Sequence, residues 1–330
     1  MAIITNSSTS YNIKASGVEE DVLDIKDFIT DISPTETPFL TGAGTRDVSN
    51  TTFDWMVDSL SAVDTTPTIE GETITAAAAS LSTRKTNIVQ IMHRAVAVTG
   101  TQQRMKLHGG KNSQMAYQMT RRTKELKRSL ESALLSNQAR KDDDSSTPRT
   151  SAMILSWMDT NTAFSVSGTT NGADPTSPGG TGAGGIRTDA SANGQRALTA
   201  ALVNTTMQSI YENGGEADTL MVGPFNKTKV SAFTGRSDAR QMVDANQVGA
   251  NIQLFLSDFG ELKVKTNRFQ RERDCFLLDF SYWNVAYLRN FQVHTLGRKG
   301  DAEEKYVIVE AGLESLQEAA SGLIADCTTS

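Results

Sequence analysis

Cysteine is almost missing: the 330 residues hold two, Cys275 and Cys327. Within a chain they could pair only with each other and make no disulfide framework, so folding in a reducing cytoplasm is the simpler expectation. Long apolar runs are missing as well. No stretch of about eighteen apolar residues occurs to span a bilayer, and no basic segment precedes an apolar one in residues 1–10, so neither a membrane span nor a signal peptide is expected. Aromatic residues are scarce at 6%, and the hydrophobic share of 38% lies below the usual globular level. A chain of this length can bury one large core or two modest ones. Its leanness therefore points either to partial disorder or to a flat, extended subunit that completes its burial against neighbours, and the regular segments favour the second. Excess positive charge is lacking too: the net charge is −6 and the pI is near 5.3. A general nucleic-acid binder needs surplus Lys and Arg to displace counterions, which leaves room only for weak contact with DNA. No repeat recurs at a fixed period, which removes solenoids and propellers.

What is present changes character along the chain. Residues 1–50 mix the acids Glu19, Glu20, Asp21, Asp24 and Asp27 with turn formers, and Pro34 and Pro38 forbid a continuing helix. Val22, Ile25, Phe28 and Ile29 predict a short amphipathic helix within an otherwise extended arm. Two strand-like runs, 52–58 and 86–99, predict a long-tipped hairpin. At about 3.3 Å per residue the second run would reach about 45 Å, further than most single domains need. It is expected to project, leaving Trp55 and Ile88 exposed unless a partner covers them.

From 113 to 137 the pattern is a helix with a narrow stripe of Met115, Met119, Leu126, Leu130, Ala133 and Leu134. Its other faces carry Arg121, Arg122, Lys124, Lys127 and Arg128. Among the four-apart neighbours considered only Lys127 with Glu131 is an ion pair, so local salt bridges do not explain the helix, which should lie along a shallow surface. A short apolar segment, 153–157, leads into residues 165–194, which read as a glycine-rich loop or linker between lobes or on an exposed face. From Thr199 the order is mixed α/β. Leu202, Val203, Met207, Ile210 and Tyr211 mark a helix face ended by Gly214 and Gly215, a strand follows over 219–222, and Asn226 caps a short helix. Further strands are expected over 252–256, 262–264, 275–278, 284–288, 291–296 and 306–310.

No constellation for catalysis emerges, and neither a cofactor nor a metal is expected. The cluster 179–185 has the glycines of a phosphate-cradling loop but not its strand and helix, and a flexible loop is the better reading. Lys227-Thr228 follows Gly223, yet Asn226 stands where a P-loop requires its second glycine. His93, His108 and His294 lack the four-residue spacing of a helical zinc site. Asp142, Asp143 and Asp144 lack the alternation and glycine of a calcium loop. No serine sits in a nucleophile elbow, and Cys275 lies in an apolar strand where a thiol is inert. Basic and aromatic residues interleave from Arg268 through Arg289, as in single-strand binders, but Glu272, Asp274 and Asp279 lie among them. Strands with one packed and one charged face account for that stretch without nucleic acid.

The order of parts, with Thr83-Arg84-Lys85-Thr86-Asn87-Ile88-Val89-Gln90-Ile91, Glu125-Leu126-Lys127-Arg128, Ser257-Asp258-Phe259-Gly260, Asn267-Arg268-Phe269 and Gly300-Asp301-Ala302-Glu303, resembles the major capsid proteins of tailed bacteriophages, which have the Hong Kong 97-type α+β fold. The resemblance runs from about Ser33 to Asp326, although the glycine-rich stretch has no counterpart. It implies an N-arm over 1–50 and an extended E-loop over 51–99. A peripheral P-domain over 100–197 would carry the spine helix 113–137, an axial A-domain would occupy 198–290, and return strands of the P-domain would fill 291–330. Subunit contacts are implied for Phe53, Trp55, Arg84, Lys85, Ile88, Glu125 and Arg128.

By the same resemblance, copies of the chain would gather as hexamers and pentamers into a head around double-stranded DNA, in the virion, after assembly in the host cytoplasm. The implied partners are a portal at one vertex, separate scaffold and cement proteins where used, and weakly held DNA; no membrane is involved. Because the arm begins almost at Met1, a separate scaffold or none is expected, with little of the chain removed on maturation. The type member of the fold joins an E-loop lysine to a neighbour's asparagine. Here no lysine occurs between Lys26 and Lys85, so no such chain-mail is expected. An enzyme lacks a site in these residues, and the closer alternative, a tail-tube protein, has no evident use for a long spine helix.

Overall fold

The structure, a computed structural model, describes residues 33–60, 63–73, 81–105, 113–144, 146–233, 253–298 and 300–329. The helix expected over 18–29, the tip residues 74–80 and His108 lie outside them. The described chain opens with helix α1 (Pro38–Gly42), strands β1 (Gly44–Asp47), β2 (Thr52–Val57), β3 (Thr83–Ile88) and β4 (Gln90–Thr99), and helices α2 (Gly100–Arg104), α3 (Gln114–Leu134) and α4 (Ile154–Trp157). After β5 (Thr162–Ala163) come α5 (Ala200–Glu212), β6 (Thr219–Val222) and α6 (Pro224–Ser231). The remaining described strands are β7 (Leu254–Ser257), β8 (Gly260–Thr266), β9 (Cys275–Leu278), β10 (Trp283–Thr295), β11 (Ala302–Ser315) and β12 (Gly322–Ile324).

Three sheets result. A four-stranded sheet runs β1-β10-β11-β4, a six-stranded sheet runs β5-β12-β9-β6-β8-β7, and β2 and β3 form a separate ribbon. Helix α3 lies across β4 and β11. Its buried Met115, Met119, Leu126, Leu130 and Leu134 are the expected stripe, each contributing about 1.5–3 kcal/mol on burial. The Ser113 hydroxyl caps its start by accepting from the Ala116 N–H at 3.3 Å. Helix α5 covers the six-stranded sheet near β5 and β12 with Val203, Met207 and Ile210.

The expected long strand over 86–99 is two strands. The chain breaks pairing at Val89, so β3 pairs with β2 while β4 pairs with β11. Asn87, fully buried, holds this elbow. Its amide nitrogen donates to the carbonyls of Ala152 at 3.0 Å and Leu313 at 2.6 Å, while its oxygen accepts from the N–H groups of Ile88 at 2.9 Å and Ala152 at 3.0 Å. One side chain thus satisfies backbone groups that a change of sheet would leave unpaired.

Other expectations are corrected in the same way. The strands expected over 284–288 and 291–296 are one strand, β10, with register shifts near Arg289, because irregular pairing absorbs the polar interruption. Asn226 does not cap α6; Gly223 does, with Pro224 fixing the first turn. Buried Asn226 instead donates to the Glu272 carbonyl at 2.6 Å. Tyr211 lies outside the packed face of α5. The stretch 165–194 is no open linker. Arg187 is buried and paired to Asp174, and Asn137 clamps the Arg187 backbone, donating to its carbonyl at 2.7 Å and accepting its N–H at 3.0 Å.

Candidate subunit-contact surfaces

Strand alternation decides which ribbon side chains can meet a neighbour. Phe53 and Trp55 point inward at 5% and 7% exposure, with Ile88 at 6%. Trp55 stacks on Phe53 at 5.8 Å and meets Trp157 at 5.1 Å. The expectation that Trp55 and Ile88 stand exposed is therefore corrected: the base of the ribbon folds onto its own core. Arg84 is exposed beside Asp54 at 3.8 Å. Half-buried Lys85 faces inward with Trp55, its pairing partner, and lines a 90 Å³ cavity with Trp157, Asp159 and Glu318. Burial, then the charges of Asp174 and Glu318, pushes the Asp159 carboxyl upward.

Beyond the base the ribbon changes character. Leu60, Val63, Ile69 and Leu81 are 80–99% exposed, and Met56 is 60% exposed. Five large apolar side chains on β2 and in the segment joining it to β3 form an unsatisfied surface. Alternation along the strands does not reveal that the ribbon base folds onto Trp157, which is what covers Phe53 and Trp55.

Along α3 the expected pair Glu125 and Arg128 lies in a groove of about 510 Å³ with Arg94, Ser129, Ser132 and Phe269. Arg122 donates to Glu125 at 2.6 Å, and the Arg128 guanidinium sits 5.3 Å from the Phe269 ring centre. Among the described residues Arg121, Lys124, Lys127 and Arg128 form no ion pair. Ser33 and Thr35 line a second groove with Arg121, Lys124, Glu125 and Arg128. The chain thus enters the described region beside this basic face.

The four-residue spacing pairs Glu131 with Lys127, but Glu131 is buried. Its carboxylate accepts the N–H groups of Phe39 and Leu40, both at 2.8 Å, and the Asn267 amide at 2.6 Å. The first two are free donors at the start of α1. Burial pushes the Glu131 carboxyl upward, and those bonds pull it back in part. One acid thereby ties α1, α3 and the loop after β8 together. Its signal in the sequence was slight: an acid on the Leu130 side of an amphipathic helix.

The basic and aromatic stretch is internally paired. Arg271 bonds Asp189 and lies 3.3 Å from Asp274, while Arg273 lies 3.5 Å from Asp189 and 2.7 Å from Asp326. On β11, Glu310 holds Arg149 and, at 2.7 Å, Arg289, while Glu314 holds Arg46. Among the described residues no group of three or more His, Cys, Asp and Glu gathers to hold a metal, and no helix is long and apolar enough to cross a membrane.

The chain is similar to the capsid of a native GTA particle, with a TM-score of 0.61 and 14% identity over 96% of this chain and 98% of that one. It is also similar to a structure from Microbacterium phage Oxtober96, with a TM-score of 0.57 and 12% identity over 97% and 98%. The fold is therefore the Hong Kong 97-like α+β capsid fold that the sequence resemblance implied. The profile described as SU10 major capsid protein matches residues 3–328, and the chain belongs to that family. The major capsid protein of Escherichia phage Phieco32 is 25% identical over 339 residues, covering 92% of this chain and 93% of that relative. The chain is thus a phage virion structural protein, not an enzyme, and the tail-tube alternative falls.

Proposed function

We propose that copies of this chain gather as hexamers and pentamers and close an icosahedral head around double-stranded phage DNA. The observation that carries this reading is the ribbon tip, whose apolar side chains at Leu60, Val63, Ile69 and Leu81 are exposed while its base is packed. A lone subunit gains nothing from that arrangement; a neighbour under the tip would bury it. The ribbon over 51–88 is the E-loop in this reading. The four-stranded sheet with α3 is the P-domain, and the six-stranded sheet with α5 and α6 is the A-domain. Residues 83–99 then serve two parts, and β5 and β12 complete the A-domain sheet from outside the 198–290 span.

Residues 1–50 act as the N-arm. Its acids Glu19, Glu20, Asp21, Asp24 and Asp27 carry charge opposite to that of the basic face of α3, beside which Ser33 enters. Arg84 on the ribbon and Glu125 and Arg128 on α3 are the charged candidates for contact with neighbours, while Phe53, Trp55, Ile88 and half-buried Lys85 support the ribbon from within. A portal, and scaffold or cement proteins where the phage encodes them, would meet the assembled lattice. Assembly in the host cytoplasm suits two free thiols.

Electron microscopy of the purified protein in negative stain tests the reading. Closed shells or rings of five and six subunits are expected. Open tubes, or dispersed monomers under every assembly condition, would count against it.

A further inference from the structure

The two cysteines lie far apart in sequence and side by side in the fold. Cys275 opens β9, and Ile324 of β12 is its pairing partner. Beyond β12 the backbone turns at Asp326, which adopts φ 59, a left-handed conformation rare for a residue with a side chain. The turn is tightly held. The Asp326 carboxylate accepts the N–H groups of Ser165 at 3.2 Å and Ala190 at 3.0 Å, together with Arg273 at 2.7 Å. The Cys327 N–H then donates to the Arg273 carbonyl at 2.9 Å. Cys327 is thereby placed against Cys275, sulfur to sulfur at 4.0 Å. Both thiols are free, and both side chains are buried.

We propose that Cys275 and Cys327 are a latent disulfide, closed by a peroxide-class oxidant once the particle leaves the reducing cell, which covalently pins the segment after β11 to the six-stranded sheet. The sulfurs are in contact and need to approach by about 2 Å to reach the bond length of about 2.05 Å. Hydrogen peroxide is close to water in size, so it reaches such a pair through smaller openings than a peptide disulfide requires. One thiolate attacks the peroxide oxygen, giving a sulfenic acid and hydroxide, which takes up the proton released by that thiol. The second sulfur attacks the first, forming the S–S bond and expelling the sulfenic oxygen, which leaves as water after taking the second thiol's proton. Two thiols are oxidised by two electrons, one peroxide is reduced, and two waters result.

The hydrogen bond to the Cys327 sulfur, and then burial, raise the Cys275 thiol well above its ordinary range. Thiolate is therefore scarce, which makes closure slow, while the reducing cell holds the pair open before release. The bond lies within one subunit, so it does not link chains.

Assembled particles treated with dilute hydrogen peroxide, then unfolded in an alkylating reagent and digested, give the test by peptide mass mapping, which separates cysteine chemistry from oxidation of the 11 methionines. A linked pair of peptides containing Cys275 and Cys327, lost on reduction, is expected. The same particles should melt several degrees higher than reduced ones, a difference absent in C327S particles. Two alkylated cysteines, or separate sulfinic acids on either residue, would overturn the proposal. If C327S does not assemble, the peptide map of the natural chain decides alone.

Discussion

Glu131 carries more structure than its position in a charged helix announces. Replacing it by leucine would strand the N–H groups of Phe39 and Leu40 and the Asn267 amide. Each unsatisfied buried donor costs about 1–3 kcal/mol, partly offset by removing a buried carboxylate. A net loss of about 3 kcal/mol is expected for Glu131→Leu in urea denaturation of the subunit, with Glu131→Gln milder because it keeps one acceptor. A leucine variant as stable as the natural chain would remove Glu131 from its anchoring role. Asp274 offers a second residue test. Burial, opposed in part by Arg271, pushes its carboxyl from 3.8 up to about 6. A raised acid binds its proton more tightly in the folded state, so its contribution is full below about pH 4 and is lost as pH rises through about 6. The span is on the order of 3 kcal/mol, at about 1.4 kcal/mol per unit. Asp274→Asn should flatten the melting curve between pH 4 and 6, and an unchanged slope would assign that pH dependence to other groups.

The ribbon is where an element-scale test has most force. Deleting residues 64–80 removes Ile69 from the exposed apolar set but leaves the packed base, with Phe53, Trp55 and the Asn87 elbow, intact. A soluble, folded subunit that fails to close shells is expected, read by circular dichroism and electron microscopy; normal shells from that deletion would show that the tip is dispensable. The division of labour within this element was only half legible. The run 52–58 announced a strand but not that Phe53 and Trp55 turn onto the chain's own core, and the long stripe of α3 announced the helix within a few residues of its observed ends. The switch from ribbon to sheet at Val89 left no gap in the strand pattern, because Asn87 replaces backbone pairing with bonds to Ala152 and Leu313, remote in sequence. The glycine-rich stretch is the largely exposed loop its composition announced, but its internal order stayed hidden for a similar reason. What orders it is Arg187 on Asp174 and the clamp from Asn137, and composition reports neither.

At the scale of the whole molecule, the chain is folded by many separate polar ties between distant segments, and the assembled head would repeat that pattern between subunits. Small contacts multiplied over a closed lattice act as avidity, so no single one must be strong. The remaining question is whether any contact between chains is covalent. A lysine-to-asparagine link needs an amine at the reaching tip, yet no lysine occurs between Lys26 and Lys85. Lys85 itself is half-buried at the ribbon base, beside Asp159 and Glu318 of its own subunit. Both cysteines are buried within one subunit and face each other, so neither is offered to a neighbour. On the proposed function, adhesion between subunits would rest on the arms, the apolar ribbon tip and charge pairing such as that offered by the basic face of α3, and the charged part should weaken in salt. Mature particles boiled in detergent and reductant should run as one band near 35.6 kDa. A ladder of larger species surviving that treatment would mean that some other pair of side chains joins the subunits covalently, and the non-covalent account would fail.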